Sequence, residues 1–181
     1  MTVALRQLRI ELGLSRALPR REVADLGPQL QGVLMGTLDP VLASELHQTS
    51  INPYSQYVLP GAGLESVTWV LSGMDDAATT GIFAALENLA TTGFRLEQRK
   101  IDVTPGKVET ESIGKKDLDA AFFAIDPPKK FKVKFLTPTA FRQQGEFTFL
   151  PEPRLVFQSL AMKYSQLVDG EEPGAELVEE L

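Results

Sequence analysis

The sequence predicts an α+β protein, a ferredoxin-like βαββαβ domain followed by an incomplete second unit of the same kind. Three observations carry this. Period-two and helical apolar patterns succeed one another in the order strand, helix, strand, strand, helix, strand over roughly the first hundred residues. The dipeptide Pro127-Pro128 then interrupts the chain. Beyond it only one strand pattern, one hairpin pattern and one helix pattern precede a polar, acidic end.

Val3-Ala4-Leu5 and Leu8-Arg9-Ile10-Glu11-Leu12 alternate apolar with polar, with one phase slip, and read as the first strand. Arg16, Pro19, Arg20 and Arg21 read as a basic connector. Leu26, Leu30, Val33, Leu34 and Leu38 recur at helical spacing, with Pro28 in the first turn, where its missing N–H costs nothing. Asp39-Pro40 repeats an N-cap signature, and Val41, Leu42 and Leu46 continue a short second helix whose last turn carries His47. Asn52-Pro53 stops it. Tyr54 to Leu59, the turn Pro60-Gly61-Ala62-Gly63 and a strand holding Val67, Trp69 and Leu71 form a hairpin. Asp75-Asp76 cap a helix with Ile82, Phe83, Leu86 and Leu89 on one face, ending near Gly93, and a fourth strand begins at Phe94. A polar strand region from Arg99 to Ser112 and a helix at Lys116 to Ala124 complete a first domain, residues 1–126.

In residues 129–168, Lys130-Phe131-Lys132-Val133-Lys134-Phe135 alternates with period two and reads as a strand with one lysine face. Gln143-Gln144-Gly145 turns into Glu146-Phe147-Thr148-Phe149, and Pro151 and Pro153 introduce a helix with Leu155, Val156, Leu160 and Leu167. These leave the second unit without its remaining strands and with an apolar face to dock or self-associate. The rest, residues 169–181, is an acidic tail too polar to supply them. Trp69, Phe83, Phe131 and Phe135 lie on apolar periodicities and are expected in the core.

The 181 residues are 43% apolar, which suits one good core or two small ones. No run approaches the ~20 apolar residues that span a bilayer, so neither a membrane partner nor a signal peptide is expected and a cytoplasmic location follows. With no cysteine and one histidine the chain offers neither a disulfide framework nor an imidazole or thiolate metal site; no metal and no cofactor are expected. The net charge of −6 argues against nucleic acid until its distribution is considered. Six acids and no base lie in residues 169–181, so residues 1–168 are neutral, and Lys129 to Val168 holds seven bases against Glu146 and Glu152. His47, the only group with an ordinary pKa near neutrality, is the natural carrier of proton transfer.

Three stretches resemble one family, the CRISPR-associated repeat-processing endoribonucleases, the sixth Cas family of the repeat-associated RNA-binding superfamily, closest to type III-A versions. They are Leu30-Gln31-Gly32-Val33-Leu34-Met35 through Leu46-His47-Gln48; Asn52-Pro53-Tyr54; and Phe135-Leu136-Thr137-Pro138-Thr139-Ala140-Phe141-Arg142 with Gly145, Pro153 to Leu160 and Lys163-Tyr164. The resemblance implies metal-independent cleavage of CRISPR precursor RNA within its repeats, leaving a 2′,3′-cyclic phosphate and a 5′-hydroxyl, as part of antiviral defence. It makes His47 the general acid/base. Met35 and Ile51-Asn52 occupy the positions where some relatives carry a tyrosine and a lysine, which leaves Tyr54, Arg20 and Arg21 as candidates for stabilising the transition state. Beside this resemblance, the basic face of Lys130, Lys132 and Lys134, together with Arg20, Arg21 and Arg142, is expected to contact RNA, with repeat RNA as partner and DNA excluded. No glycine-rich loop follows Leu167, where the family closes its second unit. The expectation is a fragment, or a second chain that supplies the rest, with cleavage impaired. A non-catalytic RNA-binding subunit of a CRISPR effector complex, or a protein-interaction remnant, is the alternative.

Overall fold

The computed structural model describes residues 3–49, 51–74, 76–122, 130, 132–136, 141–143 and 146–169. The chain divides into two compact units, Met1–Pro127 and Pro128–Leu181.

In the first unit β1 (Val3–Leu14) lies between β3 (Ser66–Gly73) and β5 (Ile101–Gly114), with β2 (Tyr54–Pro60) at one edge and the short β4 (Phe94–Leu96) at the other. All pairings are antiparallel. The central order β2-β3-β1-β5 is that of a ferredoxin-like sheet, with β4 appended through a tight turn that holds Lys100 at positive φ. The expected fourth strand at Phe94 is thus only three residues, and the long strand from Ile101 takes the fourth place.

The alternation in β1 does what period two requires. Leu8, Ile10 and Leu12 are buried and stand opposite Leu71, Trp69 and Val67 of β3. The same face takes α2 (Leu26–Thr37) and α4 (Asp76–Thr92), whose Leu30, Leu34, Ile82, Phe83 and Leu86 complete the core. The phase slip between Leu5 and Leu8 has no bulge behind it: the pairing with β5 runs in register from Leu5 to Ile10, so by parity Leu5 lies on the opposite face from Leu8, opposite Ile113. Gly93, at φ +68, ends α4, and its N–H donates to the Leu89 carbonyl at 3.2 Å. Asp75 and the Asp76 side chain, read as the cap of α4, lie outside the described residues.

One element has no counterpart in the sequence reading and another is shifted slightly. Arg20–Val23 form a one-turn helix, α1, rather than a connector. Lys115–Phe122 form α5, which begins one residue earlier than expected and is described only to Phe122.

In the second unit β6 (Phe141–Gln143) and β7 (Glu146–Thr148) make a two-stranded ladder, and α6 (Pro153–Tyr164) starts with Pro153 in its first turn and runs into a π-helical turn, Ser165–Asp169. The expected lysine strand is not formed: Lys130 and Lys132–Leu136 carry no regular structure, and Phe131 lies outside the described residues. Alternation supplies two faces, but a strand also needs a hydrogen-bonding neighbour, and among the described residues nothing pairs with this segment. Phe135 is consequently exposed rather than core, and meets Phe141 edge-on at 6.0 Å between ring centroids. The tail beyond Asp169 and the turn at Gln144-Gly145 lie outside the described residues. No helix among those described is long and apolar enough to cross a membrane.

Candidate functional site

His47 owes its position to the helix that ends with it. Asp39 opens α3 (Pro40–Gln48) by accepting from the Val41 N–H at 2.9 Å, and Pro40 fills the first turn. Leu42 packs against Gly81 of α4, so closely that a Cβ at Gly81 would lie 2.6 Å from its Cδ2. Leu46 is buried. One residue on, the helix has rotated by about 100°, and His47 is exposed. The last turn closes with the Thr49 N–H donating to the Glu45 carbonyl and the Thr49 hydroxyl to that of Leu46, both at 3.1 Å.

Tyr54 opens β2 seven residues after His47 and is partly exposed, its ring packed on the core. Its phenolic oxygen accepts from Gln31 Nε2 of α2 at 2.6 Å. Gln31 Oε1 accepts in turn from Gln56 Nε2 at 2.6 Å, and Gln56 Oε1 accepts from the indole N–H of Trp69 at 2.8 Å. These three groups joined to Tyr54 are functional candidates that sequence reading missed.

So is Arg6. It stands in the same cross-strand row as Tyr54, with side-chain-free Gly73 between them, about 10 Å away by strand spacing. Its guanidinium lies 5.0 Å from the Phe83 ring centroid and donates to the Thr80 hydroxyl at 3.4 Å. The starts of β2 and α4 and the first half of β1 thus share one end of the sheet, and α3 reaches α4 there through Leu42.

Arg20 and Arg21 are exposed on α1 but belong to the opposite end. The Leu18 N–H just before them donates to the Leu64 carbonyl in the β2–β3 turn at 2.7 Å. Six extended residues, about 20 Å, separate that end of β2 from Tyr54. Arg99 is bound to Glu22 at 3.0 Å and to Asp25 at 3.5 Å, which fastens α1 and the start of α2 to the β4–β5 turn.

The sheet face away from the helices carries Arg9 and Lys107 among Glu11, Glu109 and Glu111. Lys107, hydrogen-bonded to Glu109 at 2.5 Å, holds that carboxyl below the usual carboxylate range. Its bases are already outnumbered and engaged, so this face is a poor surface for a polyanion. Lys130, Lys132 and Lys134 are exposed in the second unit. Arg142 is on β6, its side chain outside the described residues. Among the described residues no three of His, Asp and Glu converge as metal ligands would.

The family model of the CRISPR-associated endoribonuclease Cas6 matches residues 133–179. A Mycobacterium tuberculosis protein named CRISPR-associated endoribonuclease Cas6 is 42% identical over 182 residues, covering 99% of this chain and 57% of that protein. A Streptococcus thermophilus protein of the same name is 33% identical over 147 residues, covering 81% and 58%. The chain therefore spans somewhat more than half the length of these curated relatives. Among solved structures, a Cas6 product complex superimposes with a TM-score of 0.72 at 23% identity over 97% of this chain and 70% of that one. The Thermus thermophilus Cas6 superimposes with 0.60 at 23% identity over 99% and 69%. At that identity the likeness speaks for the fold.

Proposed function

Because the chain belongs to the Cas6 family of CRISPR-associated endoribonucleases, we propose that it acts in cutting CRISPR precursor RNA within its repeats, without a metal. In this reading the ribose 2′-oxygen attacks the adjacent phosphorus, the bond from phosphorus to the 5′-oxygen breaks, and the products carry a 2′,3′-cyclic phosphate and a 5′-hydroxyl. His47 takes the 2′-OH proton or delivers one to the departing 5′-oxygen. The observation that carries the reading is the chain's sole imidazole, exposed in the last turn of a helix fixed at its start by Asp39 and along its length by Leu42 and Leu46. Tyr54 and Arg6, at the same end of the sheet, support it as groups able to meet the non-bridging oxygens of the phosphorane, one by hydrogen bonding and one by charge.

The test is incubation of the chain with repeat-containing RNA in excess EDTA. A product ending in a 2′,3′-cyclic phosphate is expected. Cleavage that appears only on adding magnesium would rule the metal-free route out.

Lys130, Lys132 and Lys134, with Arg142, are the proposed phosphate contacts. The three lysines are exposed, and the segment Lys129 to Val168 carries a net charge of +5. Substituting all three by glutamine is expected to weaken repeat-RNA binding and to flatten the slope of log K against log salt by roughly 0.7 per lost contact. An unchanged slope would make them solvated lysines. The exposed Phe147, Phe149 and Leu150, beside a ladder that has two strands among the described residues, support docking of this unit onto a further polypeptide, as in an effector complex or by self-association.

A further inference from the structure

We infer that Trp69, Gln56 and Gln31 form a one-way hydrogen-bond relay that turns the Tyr54 hydroxyl into an outward donor, presented to a phosphate oxygen of the RNA. The inference rests on the endoribonuclease reading and adds positioning residues to it.

The direction of the relay follows from what each group can and cannot do. An indole N–H only donates. Trp69, 1% exposed on the inner face of β3, therefore requires an oxygen opposite its Nε1 and fixes the Gln56 amide with Oε1 toward it, at 2.8 Å. The other end of that amide lies 3.4 Å from the Gly27 carbonyl oxygen, which only accepts, so it must be the NH₂. Gln56 Nε2 then donates to Gln31 at 2.6 Å and fixes Oε1 of Gln31 on its side. That leaves Gln31 Nε2 to donate to the Tyr54 oxygen, also at 2.6 Å. A phenol that receives a hydrogen bond keeps its own proton for another acceptor, and among the described residues no group takes it. Four side chains on β3, β2 and α2 thus convert one fixed donor in the core into one free donor at the start of β2, seven residues from His47 and in the same strand row as Arg6. A group offering only a proton in that position suits a partner that only accepts, such as a non-bridging phosphate oxygen. Polarisation along the chain strengthens the last donor.

The relay can be reversed by side chains of nearly the same shape, cleanly at Gln31 and, at Gln56, with loss of the 3.4 Å contact to the Gly27 carbonyl. In Gln31→Glu the carboxylate still accepts from Gln56 but also accepts from Tyr54, whose proton turns inward. In Gln56→Glu the carboxylate accepts from Trp69 and from Gln31 Nε2, so the Gln31 amide turns over and its oxygen takes the Tyr54 proton from one residue further away. The expected result, in single-turnover cleavage of saturating repeat RNA, is a loss of about 10- to 100-fold for Tyr54→Phe, the scale of one hydrogen bond to a charged group. Each Glu variant is expected to lose a similar factor, and Tyr54→Phe combined with either to lose no more than the single variant. Trp69 fluorescence confirms folding, and if one Glu variant does not fold the other decides. Glu variants that cleave at the wild-type rate overturn the relay, and His47→Ala run beside them keeps the endoribonuclease reading separate. Should the wild type not cleave at all, that reading falls. The relay is then decided by affinity for 2′-fluoro repeat RNA, weakened in Tyr54→Phe and both Glu variants if it holds and unchanged in all three if it does not.

Discussion

His47→Ala should slow repeat-RNA cleavage by at least about 100-fold while leaving folding and RNA affinity near their wild-type values. The factor is the usual contribution of a positioned general acid or base, and no second imidazole exists in the chain to take over. The selectivity follows from where the side chain lies. His47 is exposed beside the buried Leu46, so its removal opens no cavity. Surface substitutions of this sort cost within about 0.5 kcal/mol. Phosphate binding rests in this reading on the exposed lysines of the second unit rather than on one imidazole. Single-turnover rates in EDTA, with affinity measured on 2′-fluoro RNA, separate the two quantities. Cleavage that survives the substitution would remove His47 from the mechanism, whereas equal losses of rate and affinity would make it a binding residue.

What was legible beforehand and what was not divides along physical lines. The helix from Leu26, the Asp39-Pro40 cap, the hairpin from Tyr54 and the end of α4 at Gly93 were readable because each rests on local signals: period, cap, turn residue, positive φ. The candidate His47 was readable for the same reason, as the last turn of a helix with clear bounds. The lysine segment was misread as a strand because its alternation satisfies only half of what a strand requires. The one-turn helix Arg20–Val23 carries too few residues to show a period. Gln31 and Gln56 looked like ordinary polar positions. A signal did exist for Gln56, which has the parity of Tyr54 and Val58 and so faces the helices, where a polar group must find partners. Arg6 carried the same signal, sharing the parity of Leu8, Ile10 and Leu12. Nothing in the sequence told which partners would answer, since Gln31 and Gln56 meet across 25 residues.

Trp69→Ala should cost the first unit about 3 to 5 kcal/mol, the usual range for emptying an aromatic site in a packed core. Trp69 is among the largest fully buried side chains, on a strand hydrogen-bonded on both sides and facing the α2–α4 layer, so the surrounding backbone has little freedom to collapse into the space. A second cost comes from Gln56, whose Oε1 loses its donor in a partly buried place, and a lost hydrogen bond of this kind contributes about 1 kcal/mol. Trp69→Phe separates the two, because it keeps most of the apolar volume and removes the N–H. It should lose a minor share of the stability while releasing the first link of the relay, so cleavage should fall more than the melting point suggests. Against the 5 to 15 kcal/mol by which domains are commonly stable, the alanine variant should unfold at a urea midpoint lower by more than about 1 M, given slopes of about 1 to 3 kcal/mol per molar. The transition has to be followed by far-UV circular dichroism, since the substitution removes the only tryptophan. A midpoint within about 0.3 M of wild type would mean that the sheet closes over the vacated site, and that the packing of β3 against the helices is looser than the burial of its inner face implies.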